Sequence, residues 1–252
     1  MAVVGETGHA GPGAPRTGAA RHDRRGARLH RTAAVLVTGL LLGTGLAACS
    51  SSSSSSGSSS DATAIAARSK QTMSGLTSFR VTGNITSSNQ TTTVNLVLAT
   101  TVSGGTISTG QGSFQVISDG THVYLSATEP FWTSQGVPAA TAQTLADKWV
   151  TGFPAAESKS LTKSLDAKQL LGPLYTGGVT SSGTTTVAGQ KAYTLKASDG
   201  STAYIAATGP PYLLEVQSPN NGAQGKVVFS EFGTAATPTL PTGAIDLSTV
   251  AG

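Results

Sequence analysis

Phe79-Arg80-Val81-Thr82-Gly83-Asn84-Ile85 sets apolar residues at every second position through Val81, with polar residues or glycine between them, until Ile85 closes the run. A period of two is that of a half-buried strand, with one face on a core and one in solvent. Residues 91–101 repeat the pattern after an Asn-rich turn, placing Val94, Leu96 and Leu98 on one face. Shorter strands are predicted at 106–109, 113–118 and 122–127, the last two joined by the hairpin pair Asp119-Gly120. Pro130-Phe131-Trp132 closes this first meander. A second is predicted over 184–187, 191–197, 202–207, 212–217 and 226–232, cut by Ala188-Gly189, Asp199-Gly200 and Gly209-Pro210-Pro211. Between them, 138–150 reads as a helix with Leu145 and Trp149 at i and i+4, and 161–171 as one or two short helices stopped by Gly172-Pro173. Upstream, Asp61 is a plausible N-cap of a helix carrying Ile65, Met73 and Leu76 on one face. The expected fold class is α+β: roughly ten strands, paired antiparallel throughout, with helices that give the sheet its second layer. Pro238, Pro241 and the tail to Gly252 are expected as an edge strand or packed coil.

The N-terminal stretch is of another kind. Arg21, Arg24, Arg25, Arg28 and Arg31 precede an apolar segment from Ala33 to Leu46, and Leu46-Ala47-Ala48-Cys49 follows with the only cysteine. Basic residues, an apolar segment and then small residues make a secretory signal. Leu-Ala-Ala-Cys resembles the lipobox of bacterial lipoproteins, which implies cleavage before Cys49 and lipid attachment to its sulfur. The expected organisation is a signal peptide over 1–48, a lipidated Cys49 with a Ser-rich tether over 49–60, and a single domain over 61–252. Arg24-Arg25 hints at twin-arginine export, but Gly26-Ala27-Arg28 fits that pattern poorly, so ordinary secretion is expected.

Splitting the chain at Cys49 reassigns its charge. Residues 1–48 carry six Arg against Glu6 and Asp23, which is the whole net charge of +4; the remainder has ten basic and ten acidic residues. A neutral mature chain argues against nucleic acid, whose phosphates demand Lys and Arg. With His122 as its only histidine, that chain holds no Cys/His metal set, and no cofactor is expected. His122 reads as an exposed strand residue, since no neighbouring pattern supplies a nucleophile and an orienting acid. Ser160-Leu161-Thr162-Lys163 matches Ser-x-x-Lys, but the Lys-Thr-Gly partner motif is absent and Ser-rich chains produce such matches by chance. No enzyme is expected.

The ordered set of short segments resembles the LolA-like lipoproteins of Gram-positive bacteria, in the actinobacterial group of LppX and LprG. The residues carrying it are Leu46 to Cys49, Ser78 to Gly83, Asp119-Gly120-Thr121-His122-Val123-Tyr124-Leu125, Lys148-Trp149-Val150, Gly209 to Leu214 and Val228 to Gly233. The resemblance implies a strongly curved antiparallel half-barrel with helices over its concave face. Gly83, Gly104, Gly105 and Gly112 are where bends or bulges are expected. It also implies a cavity for acyl chains, here assigned to Leu96, Leu98, Phe114, Val116, Phe131, Trp132, Leu145 and Trp149; Phe131, Trp132, Trp149 and Phe153 read on their own terms favour a helix–sheet core over a cavity mouth. The implied function is lipid or glycolipid carriage by a monomer anchored to the outer face of the cell membrane. The alternative is an envelope scaffold or sensor with a filled core that binds a partner protein.

Overall fold

The computed structural model describes residues 56–172, 175, 178–218 and 223–250. The signal segment and Cys49 lie outside the described residues. Helix α1 (Ser56–Ser74) leads into strands β1 (Ser78–Ser87), β2 (Gln90–Ala99), β3 (Ser103–Thr109), β4 (Gly112–Ser118) and β5 (Val123–Ala127). Helices α2 (Glu129–Ser134) and α3 (Ala139–Leu145) follow, then β6 (Trp149–Thr151), α4 (Ala155–Ser164) and α5 (Ala167–Leu171). The second meander is β7 (Val179–Val187), β8 (Gln190–Ala197), β9 (Thr202–Ala206), β10 (Leu213–Ser218) and β11 (Ala223–Ser230), and the chain ends in β12 (Ile245–Asp246) and α6 (Leu247–Val250).

The twelve strands of the described residues form one sheet in the order β12-β6-β5-β4-β3-β2-β1-β11-β10-β9-β8-β7. Each meander therefore pairs strand by strand, and β1 against β11 joins the two in the middle of the sheet. The joint is long: eight residues of β1, Arg80 to Ser87, face Ser230 back to Ala223. The last strand pairs parallel to β6, through Ile245 with Val150 and Asp246 with Thr151, so pairing is not antiparallel throughout.

The half-barrel expectation is corrected by this order. The sheet is open, with β7 at one edge and the two-residue β12 at the other, and it is not curled into a half-barrel. The glycines expected to bend it do something else. Gly83 pairs with Val94 and Val227, Gly104 with Val97 and Ile117, and Gly105 with Leu96 and Val116, all without a shift of register. Among the described ladders, register shifts occur only between β9 and β10 and between β7 and β8. Bulges are what bend a strand out of a flat ladder, and the strands from β11 to β6 have none. The glycines instead permit close approach: a Cβ on Gly83 would run into the Lys226 carbonyl, and one on Gly105 into that of Asn95.

Helices cover one face of the sheet. Ala62, Ile65, Ala66, Ser69 and Met73 of α1 are buried at helical spacing; the helix lies against β7, β9 and α5, and its apolar residues share one core with the sheet row Phe229, Val81, Leu96, Val116, Leu125, Val150. The helix starts at Ser56, five residues before the expected N-cap Asp61, and turns off at Gly75, whose N–H reaches the Gln71 carbonyl at 3.2 Å. The opposite face is largely polar: Arg80 donates to Glu231 at 2.6 Å and to Asn95 at 2.9 Å, and Lys226 donates to the buried Glu215 at 2.8 Å.

Tyr175, between α5 and β7, is tied to α1 by a hydrogen bond. The Tyr175 and Ser69 hydroxyls share a hydrogen bond of 2.9 Å, and burial pushes the Tyr175 phenol up from 10.0 to about 12. The unfolded chain therefore gives up this proton first as pH rises. The stability Tyr175 contributes is complete below pH 10 and is lost towards pH 12, a swing on the order of 2 kcal/mol. Denaturation measured across that window should show the native chain losing about this much more stability than Tyr175→Phe, which starts about 1 kcal/mol lower at neutral pH. Parallel curves would assign the alkaline loss to other groups.

Candidate ligand pocket

A pocket of about 330 Å³ opens where four distant segments meet. They are the end of α1 with the start of β1, the β2–β3 turn, the β4–β5 turn, and the α4–α5 corner. Its apolar floor is Met73, Leu76, Phe79, Leu98, Leu165 and Leu171. Met73, Phe79 and Leu98 are at most 1% exposed, so they form the base and not the mouth. Sequence periodicity explains the convergence: Met73 ends the buried stripe of α1, Phe79 opens the alternation of β1, and Leu98 faces it directly across β2.

The mouth is polar. Asp119 is held by the turn it makes: Oδ1 accepts from the Thr121 N–H at 2.8 Å and the His122 N–H at 2.6 Å, and Oδ2 lies 3.2 Å from the imidazole Nδ1 of His122. The His122 backbone N–H is the largest cause holding the Asp119 carboxyl below its ordinary range. Gly120 takes φ +89 there, and its N–H donates to the buried Ser118 hydroxyl at 3.1 Å. Across the mouth Asp166 caps α5, accepting from the Lys168 N–H at 2.8 Å. His122 is thus an exposed partner of Asp119 with no serine hydroxyl in its hydrogen bonds. Among the described residues no cluster of three His, Cys, Asp or Glu could hold a metal.

Of the residues assigned to a cavity from sequence, the structure brings only Leu98 into this pocket. Leu96 and Val116 are buried in the cross-sheet row. Phe114, Phe131 and Trp132 pack on one another, with ring centroids 4.9 Å apart for the first two and 5.6 Å for the second pair. Leu145 joins the same core, while the Trp132 indole N–H is buried without a hydrogen-bond partner among the described residues. Trp149 is on no helix: α3 ends at Leu145, Asp147 takes φ +58, and Trp149 stands half-buried on β6 on the face opposite Val150. The remaining floor residues were visible only as the helical spacing of Met73 and Leu76 and the leucines of 161–171.

No family model matches the chain, and no curated protein does. Among solved structures, LprF from Mycobacterium bovis matches with a TM-score of 0.54 at 13% identity, over 74% of this chain and 99% of LprF. The chain shares the fold of LprF. The lipoprotein LppX of Mycobacterium tuberculosis matches with a TM-score of 0.48 at 15% identity, over 71% of this chain and 99% of LppX. In this sheet, the pocket sits at the end of the ladder where β1 to β4 meet the helices, away from the filled centre.

Proposed function

We propose that this chain is an envelope lipoprotein, anchored outside the cell membrane through Cys49, that binds the acyl portion of a lipid in the pocket beneath the α1–α5 junction. The observation carrying this reading is the pocket itself: a volume at the lower end of the range for ligand sites, with an apolar base and a polar mouth. Each CH₂ taken from water into such a base gains about 0.8 kcal/mol, whereas transfer from a bilayer gains little, so loading and release can both occur. The resemblance to the LppX and LprG group supports carriage as the purpose of that binding. No covalent chemistry is proposed.

Ala167 lines the pocket from α5 and is half-exposed, so Ala167→Trp should fill the space with little cost to folding. Titrating the mature chain with a fluorescent acyl probe should give saturable binding, weakened about tenfold or more by this substitution at an unchanged melting temperature. The packing of Phe114, Phe131 and Trp132 favours a second reading, the filled scaffold. Absence of any acyl-probe binding by the native chain, with no lipid extractable from it, would leave that reading in place.

A further inference from the structure

We propose that the pocket, taken as the acyl site argued above, selects a single-chain amphiphile with an uncharged, hydroxylated head and discriminates against an anionic one. The charged residues lining it are Asp119, Asp166 and Lys168, two carboxylates against one ammonium. Asp119 is committed, with Oδ1 on two backbone N–H groups and Oδ2 on His122, so its charge is fixed in place. Asp166 commits only Oδ1 to the N-cap of α5. A carboxylate head resting in this mouth would meet a net negative field in surroundings less polar than bulk water, where charges act more strongly on one another. The other mouth residues are neutral. Thr100, Thr101 and Thr162 line it with hydroxyls that make no hydrogen bond among the described residues. Hydroxyls donate and accept, so they match a polyol head group for group. The pocket's volume suits one chain and not several.

The test is competition. The mature chain, loaded with an uncharged fluorescent acyl probe, is titrated below micelle formation with dodecanoate and with monododecanoylglycerol, which share a chain and differ in the head. The glycerol ester should displace the probe at a concentration at least about tenfold lower. Asp166→Asn, which keeps a capping side chain, should narrow that ratio by helping dodecanoate alone. Equal displacement, a preference for dodecanoate, or an unchanged ratio in Asp166→Asn would overturn the selectivity while leaving the pocket standing. Failure of the probe itself to bind would instead remove the acyl site and this inference with it.

Discussion

Gly105→Ala is expected to cost about 3 to 5 kcal/mol, close to what many domains have to lose. Gly105 lies inside the sheet on β3, paired with Leu96 on one side and Val116 on the other. Its φ is +151, and an added Cβ would meet the Asn95 carbonyl and, at 2.9 Å, the Leu96 Cα. Both obstacles are backbone, held by ladders on either side, so neither can swing away as a side-chain end would. Gly112 is the control. It too has positive φ, at +131, but a Cβ there would find Phe131 at an ordinary 3.5 Å. Gly112→Ala should therefore show conformational strain alone, about 1 to 2 kcal/mol. Urea denaturation of both variants separates the causes: equal losses would mean that strain, and not the close approach of strands, governs Gly105.

These glycines also show what could be read from sequence and what could not. Alternation located β1 to within two residues at either end, because it reports which side of a strand is buried, and the Asp119-Gly120 turn was legible from local chemistry. A glycine in a strand, however, signals a bend or a close approach alike, and only the neighbouring strand decides which. Trp149 was misplaced for a similar reason. Leu145 and Trp149 satisfy helical spacing, yet Asp147 in the left-handed region breaks the helix, and Trp149-Val150-Thr151 pairs with β5 and β12. A β-forming trio after an aspartate was the available signal. The parallel pairing of β12 had none, since two residues carry no periodicity. The pocket was hidden for another reason: its walls come from four segments spread from Met73 to Leu171, each apolar in a way that equally fits a solid core.

Phe79 belongs to both core and pocket, and Phe79→Ala should reveal both roles. The ring is 1% exposed, stands 6.2 Å from that of Phe229, and lies opposite Leu98 in the ladder. Removing a buried phenylalanine typically costs about 3 to 5 kcal/mol, part of it for the void left behind. Here the void is continuous with the pocket, so it is open to water or ligand and the cost should fall in the lower half of that range. Leu213→Ala removes a smaller side chain, fully buried and outside the pocket lining, and its void has no such outlet. An acyl probe should therefore restore more stability to Phe79→Ala than to the native chain, because it fills new volume, while Leu213→Ala should gain no more than the native chain does. The comparison is made as ligand-induced shifts in melting temperature at one probe concentration. If Phe79→Ala and Leu213→Ala respond alike, the ring is a core residue walled off from the pocket, and the base of the site lies nearer Leu165 and Leu171.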